Sequence, residues 1–203
     1  MSLSKLSKNH HYGCIGREKE QIEMIKVWQN GNKRIFNCHG VKESGKSCFI
    51  RKFLDDLIQN EASDSMVIDM DFKGKRIGPK DSVQFWRNLA KKLEKLKVVI
   101  QISDPMMEES LESFFEEIKD RKIIFLLDNL DAARNAKADD KSSKTEKDLF
   151  SELQDNFIPG IVERTDLSMV FITSTVQLRY GQIAPTVHKI EMDPLSTENA
   201  GDL

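Results

Sequence analysis

Gly40-Val41-Lys42-Glu43-Ser44-Gly45-Lys46-Ser47 spells GxxxxGKS, the pattern of a loop that wraps phosphate. The residue types follow from that task. Gly40 lets the backbone leave a strand, and Gly45 lets it curl tightly. Successive amides then point inward as an anion nest, and the helix that follows adds the partial positive charge of its N-terminus. Lys46 can reach the β- and γ-phosphates as a point charge. The Ser47 hydroxyl suits the octahedral oxygen shell of Mg²⁺. Average residue usage gives a chance match in a chain this long about one time in a hundred.

The flanks agree with the motif. Residues 34–39 (RIFNCH) form a strand candidate. Residues 46–59 carry Phe49, Ile50, Phe53, Leu54, Leu57 and Ile58 at the spacing of an amphipathic helix. Further along, residues 122–128 (KIIFLLD) are a continuous apolar run that suits a strand covered on both faces. Asp128 ends it, where a carboxylate can hold Mg²⁺ directly or through water. Asn129 stands where a catalytic acid is common, so water activation falls to Asp131, with loop capping as the alternative. A strand at 168–173 leads into Thr173-Ser174-Thr175. A hydroxyl there can bond the γ-phosphate or the attacking water, or serve as a helix cap.

Four more elements complete the pattern around two further strands, at 65–71 and 187–192. A helix over 18–29 puts Ile22, Ile25 and Trp28 on one face. Another, capped by Asp81 or Ser82, carries Trp86, Leu89, Leu93 and Leu96. Helices follow at 106–119 and around 148–157, with a polar loop over 132–148 and a break or kink at Pro159-Gly160. Strands alternating with helices imply an α/β fold of three layers around a mostly parallel sheet. Ligands in such sheets bind beyond the carboxyl ends of the strands.

Composition narrows the rest. The chain has 203 residues, 39% apolar, with 31 basic against 33 acidic side chains and a net charge of −2. That balance argues against nucleic acid as a mainly electrostatic partner. The longest strictly apolar run is 123–127, far short of the ~20 residues a membrane span needs. The N-terminus lacks the apolar stretch of a secretion signal. Cys14, Cys38 and Cys48 read as thiols of a reducing compartment, which places the chain in the cytoplasm. The four histidines show no metal-ligand spacing. Lys91, Lys92, Lys95 and Lys97 read as a solvated helix face or as a basic surface for DNA.

With these residues in hand, the chain resembles the nucleotide-binding core of STAND-class P-loop ATPases, the signalling relatives of AAA+ proteins. Cys14-Ile15-Gly16-Arg17-Glu18 resembles the family's hydrophobic-Gly-Arg-Glu motif beside the adenine, and GVKESGKS its P-loop. IIFLLDNLD resembles its magnesium strand, and VFITST with PLSTENAGDL its sensor strand and the start of its helical lid. The resemblance implies a three-layer P-loop NTPase fold with a five-stranded sheet of order 5-1-4-3-2. It implies ATP or ADP as ligand with Mg²⁺, and slow hydrolysis used as a switch within a larger signalling protein that self-associates or meets protein partners when ATP is bound.

The implied nucleotide contacts are Ile15, Gly16, Arg17, Gly40, Val41, Lys42, Glu43, Ser44, Gly45, Lys46, Ser47 and Cys48. Ser47 and Asp128 would serve the metal, and Lys46, Asp131 and Thr173 the chemistry. The expected layout is a leader over 1–12, a nucleotide-binding domain over 13–193 and a truncated lid from 194 to 203. Four residues depart from the family pattern. Glu43 stands where Gly is frequent, Asn129 and Ala132 where acidic residues or Gly are frequent, and Thr175 where the sensor Arg often lies, the next arginine being Arg179. Together they point to weak hydrolysis or to binding without turnover. The competing readings are thus a non-catalytic nucleotide-binding scaffold and an origin-recognition type AAA+ ATPase acting on DNA.

Overall fold

In the computed structural model, residues 16–73, 79, 81–98, 108–135 and 148–194 are described. The leader at 1–12, Ile15, most of the polar loop and the segment from 195 onward lie outside them. Five strands form one sheet: β1 (Ile35–Gly40), β2 (Met66–Asp71), β3 (Ile123–Asp128), β4 (Met169–Ser174) and β5 (Val187–Met192). Their order is β2-β3-β4-β1-β5 and every pairing is parallel. This is the expected 5-1-4-3-2 order read from the other edge. It places the ends of β1, β3 and β4 side by side.

Strand periodicity explains how the apolar run of β3 divides. All six of its residues are buried. Ile123, Phe125 and Leu127 face one core, while Ile124 and Leu126 face the other, because successive side chains alternate sides. The first core is closed by α3 (Ser82–Lys95), α4 (Glu108–Ile118) and the helical segment over 149–164. The second is closed by α1 (Glu18–Gln29) and α2 (Lys46–Asn60). Phe36 and Phe171 stack across β1 and β4 with centroids 4.7 Å apart, in the geometry that offset aromatic pairs favour.

Several sequence expectations are refined or corrected. Of the two cap candidates for α3 it is Asp81 that serves, accepting from the Gln84 amide at 2.7 Å. On α1 the buried residue is Met24, while Ile22 and Ile25 face outward. Pro159-Gly160 does not break the chain. The segment runs as α5 (Leu149–Glu152), a π-turn (Leu153–Phe157) and α6 (Ile158–Arg164). Proline has no N–H to give and crowds the preceding turn, and the wider π-turn absorbs both effects. Gly160 is required because a Cβ there would overlap the Phe115 ring.

Arg34, just before β1, anchors the far end of the sheet. Its guanidinium donates to the carbonyls of Val162 at 2.8 Å and Thr165 at 2.6 Å, and to that of Ser168. These close the C-terminus of α6, where a cation also opposes the helix dipole. Cys38 is a free buried thiol, pushed up to about 12 by burial. Cys48 is disulfide-bonded, which departs from the reading of all three cysteines as thiols. Among the described residues no helix is long and apolar enough to cross a membrane.

Candidate functional site

The loop from Gly40 to Ser47 leaves β1 beside β5 and β4 and enters α2. Gly40 has φ 142°, and a Cβ on it would overlap the carbonyl oxygen of Met192, its partner on β5. Only glycine fits there, for a packing reason as much as a conformational one. Gly45 is different. Its φ is 84° and a Cβ would meet nothing within 4 Å, so the constraint is the left-handed backbone alone. Gly45 is also the N-cap of α2, and among the described residues no side chain caps that helix. The first-turn amides of a helix lack intrahelical partners, so this end can donate hydrogen bonds to an anion.

Glu43 adopts φ 66°, a conformation that costs a non-glycine residue about 1–2 kcal/mol. Its side chain is 80% exposed and pairs with Lys42 at 3.3 Å. The carboxylate therefore points away from the loop interior, which removes the repulsion a phosphate would otherwise meet. Val41 is exposed as well, whereas Ser44 is buried. Lys46 is only 7% exposed. Its ammonium donates to the carbonyls of Gly40 at 3.0 Å and Val41 at 2.6 Å, lying across the mouth of the loop. Burial lowers its pKa below the ordinary lysine value, against the opposing pull of Cys38, Asp131 and Asp128.

Asp128 lies opposite, 3% exposed. Its Oδ1 accepts from the Ser47 hydroxyl at 2.6 Å and the Thr173 hydroxyl at 2.5 Å. Its Oδ2 accepts from the Arg51 guanidinium at 2.8 Å. Arg51 also makes a two-pronged ion pair with Asp69 on β2. Burial alone would lower the Arg51 pKa, but the bonds and charges of Asp69 and Asp128 outweigh it and raise it above the ordinary arginine value.

Around this cluster the strand ends are laced together. Thr173 Oγ1 also accepts from the Asn129 amide at 2.8 Å, and the Asn129 side chain donates to Asp71 at 3.1 Å. Asp131 accepts from the Thr175 amide at 3.0 Å and the Thr175 hydroxyl at 2.5 Å, joining the turn after β3 to the end of β4. Arg179 is exposed. On the other side, Gly16 has φ 77° and Arg17 opens α1. Arg17 is buried, and its guanidinium donates to the Ser44 carbonyl at 2.8 Å and the Asp193 carbonyl at 2.5 Å. It thus ties the start of α1 to the phosphate loop and to the end of β5.

The structure brings Gly16, Arg17, the whole Gly40–Ser47 loop, Asp128, Asp131 and Thr173 to the carboxyl end of the sheet. Cys48 sits in the first turn of α2, and Ile15 lies outside the described residues. Sequence reasoning passed over Arg51 and Asp69. A signal for the first was present: Arg51 follows Ser47 by four residues on a helix, so the two share a face. Asp69 needed the sheet order, which puts β2 beside β3.

A family model described as inactive STAND matches residues 14–162. The chain belongs to the inactive STAND family. Among solved structures, this STAND chain is similar to the Aeropyrum pernix ORC1 protein in complex with DNA, with TM-score 0.63 and 14% identity over 97% of this chain and 50% of that one. It is also similar to Cdc6p from Pyrobaculum aerophilum, with TM-score 0.57 and 13% identity over 100% of this chain and 52% of that one. A third is the Signal Transduction ATPase with Numerous Domains protein with a tetratricopeptide repeat sensor from Pyrococcus horikoshii. There the TM-score is 0.56 at 14% identity, over 97% of this chain and 26% of that one. The chain thus spans about half or less of these proteins. Among curated proteins, none matches it by sequence.

These likenesses support the three-layer P-loop fold. They also correct one expectation. Charge balance argued against nucleic acid, yet ORC1 carries this fold in complex with DNA. A near-neutral surface is therefore no ground for setting nucleic acid aside.

P-loop relatives generally bind nucleotide together with Mg²⁺. The residues here do not fit that ion as they are arranged. Mg²⁺ demands near-ideal octahedral oxygen ligation, through carboxylates or its own waters. Both oxygens of Asp128 already accept bonds, one of them from a guanidinium.

Proposed function

We propose that this chain is an ATP- or ADP-binding module that holds its nucleotide with little or no turnover. The uncapped N-terminus of α2, with the left-handed Gly45 at its start, carries the reading. Loop amides and the helix dipole would bind the β-phosphate. Lys46 would turn from the Gly40 and Val41 carbonyls to a phosphate oxygen, exchanging two neutral acceptors for a charged one. Arg17 would fix the loop from behind through Ser44, and Gly16 would border the base.

Hydrolysis needs a group that orients water against the γ-phosphate. Asn129 supplies an amide that is bonded to Asp71, and Asp131 has both oxygens on Thr175. Thr173 is fully buried beneath Asp128, where it positions the carboxylate. The description of the family as inactive agrees with this assignment. The STAND relationship further supports a switch module of a larger signalling protein, in which occupancy by ADP or ATP, not the rate of hydrolysis, carries the signal.

The test is phosphate release from ATP by wild type and by Lys46→Ala. The reading predicts the same background rate for both. Wild-type turnover at least about tenfold above Lys46→Ala would refute it, since removal of a working phosphate lysine raises the barrier by more than ~1.4 kcal/mol.

A further inference from the structure

The cation that faces the carboxylates of this site is part of the chain. Arg51 projects from α2 one turn after Ser47, into the space between the ends of β2 and β3. There it meets Asp69 with two nitrogens and Asp128 with one. Its side chain is 26% exposed, and those of Asp69 and Asp128 are 14% and 4% exposed. A guanidinium so placed does more than balance charge. Its planar fork takes the lone pairs that a hydrated divalent cation would use, and it cannot be deprotonated. The other oxygen of Asp128 is held by Ser47 and Thr173. Lys92 of α3 adds a further positive charge near Asp69.

We propose that Arg51 is a built-in replacement for the divalent metal, excluding it from Asp128 and making nucleotide binding independent of it. The second half of this rests on the nucleotide-binding reading above. Ser47 is then bonded to Asp128 as a strut between α2 and β3. The polyphosphate is gripped by loop amides and Lys46 alone. Such a site favours a diphosphate, whose lower charge needs less compensation, over a triphosphate that lacks its metal.

Two measurements separate the parts. In the absence of nucleotide, Mn²⁺ is titrated into wild type, Arg51→Gln and Arg51→Lys, and free Mn²⁺ is followed by electron paramagnetic resonance. Arg51→Gln should bind Mn²⁺ at least about tenfold more tightly than wild type, because two carboxylates are released to it. Arg51→Lys keeps one charge without the fork and should fall between them. It serves as the informative variant if Arg51→Gln does not fold. Equal Mn²⁺ binding by wild type and the variants that fold overturns the proposal.

ADP affinity is then measured by calorimetry in EDTA and in excess Mg²⁺. Wild type should change by less than about threefold between the two, whereas Arg51→Gln should weaken in EDTA by about tenfold and recover in part with Mg²⁺. A wild-type loss of about tenfold or more in EDTA also overturns the proposal. Absence of ADP binding in both buffers removes the nucleotide-binding reading instead, and with it the claim of metal-independent binding. The Mn²⁺ titration still decides whether Arg51 excludes the metal.

Discussion

The Arg17 guanidinium donates to the carbonyl of Ser44, 27 residues away, at 2.8 Å, and the same nitrogen reaches the Asp193 carbonyl. One buried cation thereby joins α1, the phosphate loop and the end of β5. A charge-assisted hydrogen bond contributes about 1.5–3 kcal/mol, and a truncated partner leaves buried carbonyls unpaired. Arg17→Ala should lower stability by about 2–3 kcal/mol in urea titrations and loosen the loop. Amide exchange of Ser44 to Ser47 should speed up in the variant. Unchanged exchange would mean that Arg17 does not position the loop.

Gly40 and Gly45 should fail for different reasons. Gly40→Ala drives a methyl into the Met192 carbonyl on top of a positive φ, and should cost about 2–4 kcal/mol. Gly45→Ala meets no neighbour and should cost only about 1–2 kcal/mol of backbone strain. Denaturant midpoints for both variants check the ranking. ADP affinity should drop most in Gly45→Ala relative to its loss of stability, because that residue shapes the nest itself. The reverse order of stability would show that β1 and β5 separate easily at this point.

Asn37, in the middle of β1, is fully buried, and among the described residues neither polar atom of its side-chain amide has a hydrogen-bond partner. An unmet buried amide costs about 1–3 kcal/mol. Asn37→Leu should therefore be neutral or raise stability by up to ~1 kcal/mol, read as a rise in the thermal midpoint. A drop of about 2 kcal/mol or more would show that the amide is satisfied by internal water.

The fold was legible because its signals are local. β3 shows as an unbroken apolar run, α2 as an amphipathic stripe, and the turn between β1 and α2 as two glycines with a lysine. What stayed hidden depends on pairs distant in sequence. Arg51 and Asp69 are 18 residues apart and meet only because β2 lies beside β3. Ile22 and Ile25 keep the spacing of a buried face, yet Met24 is the buried residue of α1, with Val27 and Trp28 packed part-buried against the core formed with Phe36 and Phe49. Pro159 marked a break or kink because its effect on the preceding turn is local, and the π-turn that accommodates it is supported by Phe157 packing against Phe85 and Phe125.

Titration of ADP into the full chain, alongside Lys46→Ala, is the most direct check on the central claim that the loop after β1 grips a polyphosphate. The account predicts saturable one-to-one binding in the micromolar range, ~10 µM, weakened at least about tenfold by the substitution. No binding at ~1 mM ADP or ATP, or equal binding by both proteins, would contradict it.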